Sequence, residues 1–585
     1  MARSAPVTWP RPVPVVGDTT SAAQRRADPA GWRFDDATRA AVYEVVSARR
    51  DIRRFRPDPL DPALLRRLLT AAHAAPSVGH CQPWRFVIVR DAACRERAAQ
   101  IADRERLRQA GGLDEDAARR MLDLQLDGIR EAPIGVVVCC DRRADAAGVI
   151  GRATFPDADI WSCTLAIENL WLAARAEGLG LGWVTLFPPD ELASLVGLPA
   201  GVETLGWLCL GWPDERPPAP GLERAGWSRR LALEDVVIEE RWPSTGPAAP
   251  ASRLRPPGPA AVVAARDESD LLLTPPGSLG VLDRALERLA SLGVTSLTGA
   301  TLVLVGSDHP VAARGVSTYP TSVTREVIEA TVAGESLGAA AARVGGLALV
   351  VVDAGVDGEP VAAARVCRAL GRRGDLVEHD ALERPDVERL VELGRLLGAG
   401  LDRSSLVAIG EVGVANTTVA AALASVLLGA DPAEAVGLGA GGDAPTISRK
   451  SEVVRAAVAR ARRSPPVRAG DPLAALSAVG GPEFAFLTGV VVGVAGRGSV
   501  VVLDGFATAL AALCAVRLEP PVGAHLVAGQ RSRERGHQAV LGALGLEAVL
   551  DLRMRAGEGV GAVLATGLLR AALAVREITG RVSPG

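Results

Sequence analysis

Four stretches of the sequence share one pattern, an apolar run that ends in an acidic residue. They read LVLVGSD (302–308), LALVVVD (347–353), LVAIGE (406–411) and VVVLD (500–504). Such runs, alternating with segments of helical periodicity, are typical of the buried strands of a parallel sheet. We therefore predict an α/β fold for the C-terminal half. Because ligands bind outside the carboxyl ends of such strands, the four terminal acids are candidates to line a ligand crevice.

The N-terminal half has a different pattern, typical of an α+β domain. We predict a long buried helix, Asp159–Glu177, and four short strands: Phe86–Val89, Ile134–Cys140, Leu181–Leu186 and Leu205–Leu210. All 10 tryptophans lie at or before Trp242, and the next segment, PSTGPAAPASRLRPPGPAA, has the composition of a linker. The predicted organisation is a disordered tail (1–36), a first domain (37–242), a linker (243–267) and a second domain (268–585).

Composition narrows the classes of partner. The formal net charge of the 585 residues is -3, which gives no cationic field for nucleic acid or an anionic membrane surface. The most apolar stretch, 484–516, is interrupted by glycine and charged residues, so we expect no membrane span. The 8 cysteines lack metal-ligand spacing, and His309, His525 and His537 are scattered. We expect a cytoplasmic protein with reduced thiols, small-molecule ligands and no metal site.

Lys450 is unusual because every other cationic side chain among the 65 Lys and Arg residues is arginine. Either one lysine survives by chance in an arginine-biased chain, or position 450 requires a compact ammonium group. The second interpretation places Lys450 at a phosphate or carboxylate contact.

Two segments of the first half have the chemistry of a site for a phosphorylated heterocycle. SARRDIRRF (47–55) places four arginines around Asp51, and arginine binds phosphate bidentately. AAPSVGHCQPWRFVIV (74–89) places a small-residue loop and Gln82 before a strand. The alternatives are a solvated helix end and an ordinary turn.

Together with ENLWLAARAEGLGLGW (168–183) and the following VTLF, these segments resemble 5,6-dimethylbenzimidazole synthase, a family with the nitroreductase fold, over roughly residues 37–240. The resemblance implies a flavoprotein that consumes its own reduced FMN with O2 and releases dimethylbenzimidazole. It makes Asp51 the expected catalytic residue, whose arginine neighbours should keep it ionised. Thr185 stands where the family has serine and retains the hydroxyl. The implied flavin-binding residues are Arg49, Arg50, Asp51, Ile52, Arg53, Ser77, Gln82 and Arg230.

Two glycine-rich segments of the second half place acids at helix starts. GEVGVANTT (410–418) follows a predicted strand and opens a helix, so its amides and hydroxyls could bind phosphate. RAGEGVGAVLATGLL (555–569) sets Glu558 between glycines, where a base would be accessible to a ligand. The alternatives are a well-capped helix and a glutamate that complements the helix dipole.

These segments, with TPPGSLGVLDRALERL (274–289), SDHPVAARGVSTYP (307–320), VVDAGVDGEP (351–360), GGPEF (480–484) and VVLDGF (501–506), resemble nicotinate-nucleotide:dimethylbenzimidazole phosphoribosyltransferase over about residues 268–582. The resemblance implies a Rossmann-like parallel sheet with a helical small domain. It also implies phosphoribosyl transfer from nicotinate mononucleotide to dimethylbenzimidazole, with Glu558 as base and Glu411 orienting the heterocycle. The implied substrate-binding residues are Asp308, Tyr319, Gly413, Asn416, Thr417, Thr418, Lys450, Gly480 and Gly481.

Several positions depart from the second family. Pro310 replaces a glycine, Val560 replaces a small hydroxyl residue, and Gly529–Gln530 replace a Ser-His pair. The predicted function is a bifunctional, homodimeric enzyme of cobalamin lower-ligand synthesis. Two alternatives remain: an NAD(P)H-dependent nitroreductase or flavin reductase joined to the transferase, and a C-terminal half that binds heterocycles without turnover.

Overall fold

The computed structural model describes residues 20, 22–125, 128–240, 242, 254–296, 299–401, 406–439, 444–468 and 470–582. The chain divides into two compact units. The N-terminal unit is Trp32–Pro247, and the C-terminal unit combines Met1–Gly31 with Ala248–Gly585. Each unit is described separately below.

The helices of residues 22–240 are α1 (Ala22–Ala27), α2 (Asp36–Ala48), α3 (Pro62–His73), α4 (Ala92–Ala110), α5 (Glu115–Asp123), α6 (Ala158–Ala176), α7 (Pro189–Val196), α8 (Gly221–Arg224) and α9 (Leu233–Val236). Those of residues 254–582 are α10 (Pro259–Asp270), α11 (Val281–Ser291), α12 (Ser322–Ala333), α13 (Leu337–Gly345), α14 (Arg384–Ala399), α15 (Asn416–Leu428), α16 (Pro432–Ala435), α17 (Ala444–Ala461), α18 (Pro465–Arg468), α19 (Pro472–Val479), α20 (Pro482–Gly496), α21 (Phe506–Leu518), α22 (His537–Leu544) and α23 (Val560–Ile578). Short 3-10 turns lie at Val78–His80, Ala146–Gly148, Pro310–Arg314 and Pro520–His525.

The N-terminal unit has an antiparallel sheet covered by helices. Its strands are β1 (Phe55–Arg56), β2 (Trp84–Val89), β3 (Ile134–Asp141), β4 (Gly180–Val184) and β5 (Val202–Pro213). The order is β1-β5-β3-β2, and β4 also pairs with β5. One core packs α3 and α6 against the sheet through residues such as Leu68, Leu170 and Leu210. The predicted α+β class is confirmed, and the predicted long helix and strands lie within a few residues of their observed bounds.

The C-terminal unit has a parallel sheet of six strands, β6 (Ala300–Ser307), β7 (Ala348–Gly355), β8 (Arg365–Val366), β9 (Leu406–Val412), β10 (Val500–Leu503) and β11 (Leu526–Ala528). The spatial order is β11-β10-β9-β6-β7-β8. In chain order, β6, β7 and β8 are added successively toward one edge of the sheet, and β9, β10 and β11 are added toward the other edge. This is the Rossmann order, with its switch point between β6 and β9.

Alternating strand residues divide the C-terminal core between the two faces of this sheet. Val303 and Ile409 pack with α15, α20 and α21, whereas Leu302 and Ala408 pack with α11, α13 and α23. The two-sided burial explains why these strands are continuously apolar. The predicted α/β class is confirmed. The helices that flank the second face form one compact unit with the sheet.

Two predicted segment boundaries need correction. Helix α1 lies within the range expected to be a disordered tail, and α10 begins inside the predicted linker. Pro259 occupies the first turn of α10, where its fixed φ favours a helix start, so the apparent linker composition was misleading there. Arg25 and Arg26 of α1 form ion pairs of 3.2 and 3.3 Å with Asp267 of α10.

Within the described residues, no helix is long and apolar enough to cross a membrane. The cysteines form no disulfide. The same part of the chain contains no group of three or more His, Cys, Asp or Glu side chains that could hold a metal ion.

Candidate active sites

A cavity of about 290 Å³ opens at the carboxyl ends of the C-terminal strands. Its wall comes from the loop after β6, the ends of β9 and β10, the segment after β11 and the turn before α23. This is the switch-point crevice of a doubly wound sheet, where the converging strand ends leave room for a ligand. Four predicted site residues line it besides the two glutamates and Lys450: Tyr319, Gly413, Asn416 and Thr417.

Glu558 reaches this cavity from a left-handed turn. The φ angles of Gly557, Glu558 and Gly559 are 66°, 55° and 74°. A side chain in this conformation costs about 1–2 kcal/mol relative to glycine. One carboxylate oxygen accepts a hydrogen bond of 2.8 Å from the N–H of Gly338, in the first turn of α13. The left-handed backbone at position 558 is therefore a local cost to stability, and it places a carboxylate in the cavity wall.

Glu411 ends β9 and faces the same cavity. Its carboxylate accepts a hydrogen bond from the Asn416 side chain, and its backbone carbonyl accepts one from the Glu558 N–H at 3.4 Å. Burial, followed by the nearby charges of Glu483 and Asp504, raises the pKa of Glu411 to about 8. Glu411 therefore holds a proton near neutral pH and can donate a hydrogen bond to a ligand.

Asp504, which follows β10, is a third acid in the wall; we predicted that it lines a crevice but assigned it no role in the site. It accepts hydrogen bonds from the Gly561 N–H at 2.8 Å and from the Gln530 amide at 3.4 Å. Burial raises the pKa of Asp504 to about 6, although these donors favour the ionised form. The sequence signal was present, because Asp504 is one of the four acids that follow apolar runs.

Of the other strand-end acids, Asp353 does not reach the cavity. It lies fully buried and forms an ion pair of 2.7 Å with Arg368. The prediction that all four acids line one crevice is therefore wrong for Asp353. Asp308 contributes instead to a separate cavity of about 10 Å³.

Lys450, on α17, is buried and lines the main cavity. Its Nζ donates a 2.9 Å hydrogen bond to the Thr417 hydroxyl, in the first turn of α15. Burial lowers the pKa of Lys450, and Glu534 opposes this effect. Glu534, which sequence reasoning also missed, accepts the Gly439 N–H at 2.9 Å, and burial raises its pKa. A partly desolvated ammonium beside a helix N-terminus is suited to an anionic ligand group.

Gly480 and Gly481, predicted to bind substrate, line the same small cavity as Asp308. A buried pair, His309 and Glu483, lies next to Gly481, with 2.9 Å between Nε2 and Oε1. A Cβ on Gly481 would lie 2.6 Å from the His309 ring. Gly481 is therefore required for packing around this pair.

Thr418 was predicted to bind substrate, but it does not line the cavity. It is fully buried on α15, and its hydroxyl has no hydrogen-bond partner within the described chain. Successive helix residues point about 100° apart, so Thr417 can face the cavity while Thr418 faces the core.

The arginine-rich loop of the N-terminal unit is held against β4. Asp51 accepts hydrogen bonds from the Arg53 guanidinium and, at 3.1 Å, from the Trp183 N–H. Loss of water around the carboxylate raises the pKa of Asp51, although 38% of the side chain stays exposed and Arg53 opposes the rise. We expected the arginines to lower the pKa of Asp51, but desolvation outweighs them and the pKa is raised.

The neighbours of Asp51 have distinct contacts. Ile52 is buried and donates its N–H to the Leu181 carbonyl at 3.0 Å. The Arg49 guanidinium lies 4.6 Å from the Trp171 ring centroid. Arg50 donates to the Ser47 and Pro218 carbonyls at 2.7 and 3.1 Å. Arg50 Nε and Arg53 Nη1 are buried without a hydrogen-bond partner among the described residues.

The remaining predicted flavin residues lie on loops. The Ser77 hydroxyl accepts the Gln82 N–H at 3.1 Å, and Gln82 has a φ of 46°. Thr185 is exposed immediately after β4. Arg230 is exposed between α8 and α9, and no hydrogen bond or ion pair joins it to the described residues 49–53.

Both halves of the chain are similar to known proteins. Residues 254–581, more than half of the chain, match the sequence model of the DBI_PRT family, described as a phosphoribosyltransferase. The chain belongs to this phosphoribosyltransferase family. A nicotinate-nucleotide–dimethylbenzimidazole phosphoribosyltransferase of Mycobacterium avium is 39% identical over 332 residues, which cover 54% of this chain and 92% of the relative. The structure of CobT from Thermus thermophilus aligns with a TM-score of 0.52 and 36% identity, covering 56% of this chain and 100% of that one.

The phosphoribosyltransferase region is preceded by a second family. Residues 46–212 match the nitroreductase family. A 5,6-dimethylbenzimidazole synthase of Rhodospirillum rubrum is 42% identical over 202 residues, covering 34% of this chain and 95% of the relative. The prediction that the chain joins relatives of these two enzymes is confirmed.

Proposed function

We propose that the chain carries out two consecutive steps of cobalamin lower-ligand synthesis. The nitroreductase-family unit would fragment reduced FMN with O2 to give 5,6-dimethylbenzimidazole. The phosphoribosyltransferase unit would then transfer phosphoribose from nicotinate mononucleotide to that base, giving α-ribazole 5'-phosphate and nicotinate.

The observation that carries the transfer step is the arrangement of Glu558, Glu411 and Lys450 around one cavity. In the transfer, the bond between the anomeric carbon and the pyridinium nitrogen breaks, and an azole nitrogen bonds to that carbon from the opposite face. The azole must lose its ring proton, and the Glu558 carboxylate is the proposed acceptor. Glu411, which carries a proton near neutral pH, is proposed to orient the heterocycle.

The phosphate is assigned to the other side of the cavity. The Lys450 ammonium, the Thr417 hydroxyl and the first turn of α15 supply a charge and donors at one place. Tyr319, which is 50% exposed on the loop after β6, is proposed to cover the base. Gly413 and Asn416 complete the proposed substrate site. Asp308, Gly480, Gly481 and Thr418 have supporting positions in this proposal.

The N-terminal unit fits FMN, on the evidence of its unpaired donors. Arg50 Nε and Arg53 Nη1 are buried without partners within the described residues, so an anionic or acceptor-rich ligand would satisfy them. Arg49, Arg50, Ile52, Arg53, Ser77 and Gln82 are the residues proposed to hold the flavin, with Arg230 at its edge. When bound, FMN supplies the redox chemistry with O2. Asp51 is proposed to move protons during bond cleavage, with Thr185 as a hydroxyl donor nearby.

We also propose a homodimer. The described part of α2 buries none of its residues, and Val42, Tyr43 and Val46 are 55%, 72% and 51% exposed. The segment 222–238 likewise exposes apolar side chains, including Leu233 at 69%. Apolar patches of this kind mark interfaces. We retain 37–242 and 268–585 as the proposed functional domains and the cytoplasm as the proposed compartment.

The test supplies the purified chain with reduced FMN, O2 and nicotinate mononucleotide and detects α-ribazole 5'-phosphate by mass spectrometry. Glu558→Gln should abolish this product and leave free dimethylbenzimidazole accumulating. Glu577→Gln, a change at an exposed glutamate on the helix that follows Glu558, is the matched control and should behave as the wild type. Undiminished product from Glu558→Gln would contradict the proposed base.

Loss of flavin absorbance during aerobic turnover separates the proposed synthase from a nitroreductase or flavin reductase, which would regenerate its flavin. Release of nicotinate from its mononucleotide separates an active transferase from a binding module.

A further inference from the structure

Gln530 is a buried polar residue of the cavity wall whose amide group donates a hydrogen bond but whose oxygen accepts none from the described residues. The side chain is 4% exposed, and its amide donates to Asp504 Oδ1 at 3.4 Å. Its carbonyl oxygen, Oε1, has no hydrogen-bond partner among the described residues. A buried acceptor without a partner costs about 1–3 kcal/mol, so a ligand donor that reaches it is strongly favoured.

The orientation of this amide follows from its surroundings. Asp504 Oδ1 already accepts the Gly561 N–H at 2.8 Å, so this oxygen acts as an acceptor toward the N–H groups around it. Gln530 must therefore present its NH2 group to Asp504 and keep its oxygen for another partner. Gly561 maintains the contact, because a Cβ there would lie 2.5 Å from Gln530 Cγ and 2.6 Å from Asp504 Oδ1.

Gln530 also lies close to the proposed reaction centre. It packs on Gly561, three residues after Glu558, and both side chains line the same cavity. Lys450 and Thr417, proposed to bind the phosphate, contribute another part of the wall. The part of the nucleotide that joins the reacting carbon to the phosphate is the ribose.

The donor groups of the proposed substrates are few. Nicotinate mononucleotide has an ionised carboxylate, an ionised phosphate and a pyridinium without N–H, so its two ribose hydroxyls are its only donors at neutral pH. Dimethylbenzimidazole has one ring N–H, which the proposed mechanism assigns to Glu558. A ribose hydroxyl is therefore the donor that remains for Gln530.

We infer that Gln530, oriented by Asp504, accepts a hydrogen bond from a ribose hydroxyl of the donor nucleotide and makes the unit selective for ribonucleotides over deoxyribonucleotides. The inference rests on the proposed function. Asp504 is a positioning residue in this arrangement, since it fixes the amide.

The experiment measures binding of nicotinate mononucleotide and of its 2'-deoxy and 3'-deoxy analogues to the full chain by titration calorimetry. The wild type should bind at least one deoxy analogue roughly 5- to 100-fold more weakly than the ribonucleotide. Gln530→Met, which keeps the size and removes the acceptor, should bring that ratio close to one. Gln538→Met, at an exposed glutamine on α22, is the matched control and should keep the wild-type ratio.

The inference is overturned if the wild type does not discriminate, or if Gln530→Met keeps the wild-type ratio. A chain that forms α-ribazole 5'-phosphate without ribose discrimination overturns the Gln530 assignment alone. A chain that discriminates but transfers nothing supports that assignment and overturns the proposed transfer, and failure to bind any of the three nucleotides overturns both.

Discussion

Replacing Glu411 by glutamine should make the phosphoribosyltransferase unit more stable at alkaline pH, although it alters a proposed active-site residue. Glu411 lies among Glu483, Asp504 and Glu558, and burial with these charges raises its pKa from 4.5 to about 8. Glutamine has nearly the same shape, stays neutral and still offers an oxygen to the Asn416 amide. The substitution therefore removes the cost of ionising this site with little change in packing.

The sign follows from proton binding. Between pH 4.5 and about 8, the folded state holds a proton on Glu411 that the unfolded chain has released, so the free energy of unfolding falls as pH rises through this interval. The full interval corresponds to roughly 4–5 kcal/mol at about 1.4 kcal/mol per pKa unit. Asp504, with a pKa of about 6, titrates partly in the same range, but the wild type and Glu411→Gln share this contribution. Between about pH 6 and 8.5, the free energies of unfolding of the two chains should therefore diverge by roughly 2–3 kcal/mol.

The assay is differential scanning calorimetry of the full chain. The unfolding transition of the C-terminal unit is identified as the one that Glu411→Gln shifts. At about 2 °C per kcal/mol for a unit of this size, the Tm of Glu411→Gln should fall by roughly 4–6 °C less than that of the wild type between about pH 6 and 8.5. Glu577→Gln, at an exposed position, should follow the wild type. Parallel pH dependence of the wild type and Glu411→Gln would refute the reasoning, because it would mean that Glu411 is not held protonated by the fold.

Three further predictions concern individual side chains. Glu558→Gly should be more stable than Glu558→Ala by about 1 kcal/mol in the free energy of unfolding, measured by calorimetry, because φ at this position is 55° and glycine adopts it without strain. The opposite order would contradict the left-handed turn. Lys450→Arg should raise the KM for nicotinate mononucleotide by about tenfold or more in a nicotinate-release assay, since a planar guanidinium does not reproduce the compact ammonium that contacts the Thr417 hydroxyl; an unchanged KM would remove Lys450 from the phosphate site. Asp51→Asn should still bind FMN, as measured by flavin fluorescence, but reduce the yield of dimethylbenzimidazole by about 10²–10⁴-fold; a wild-type yield would exclude Asp51 as the proton carrier.

Sequence periodicity was sufficient for the architecture of both units. Apolar runs ending in acids identified strands β6, β7, β9 and β10, because strands buried on both faces leave no polar alternation. The glycines around Glu558 indicated an accessible acid at a helix start, and the structure places this residue in the cavity wall.

Local pattern was insufficient where the answer depended on neighbours distant in sequence. Asp504 and Gln530 meet because the strands are ordered β11-β10-β9-β6, an order that no single segment encodes. The same limit explains Asp308, which lines a separate small cavity instead of the main one. The direction of the Asp51 pKa likewise depended on desolvation by surrounding chain segments.

The amino-acid sequence alone determined which residues are candidates for catalysis or ligand binding. They are acids after apolar strands, a single lysine, and arginines grouped around one aspartate. The tertiary structure decided which of them share a cavity, which face the core, and which hold a proton at neutral pH. The physical reason is that hydrophobic periodicity acts over a few residues, whereas burial and charge coupling are set by segments that the sheet order brings together.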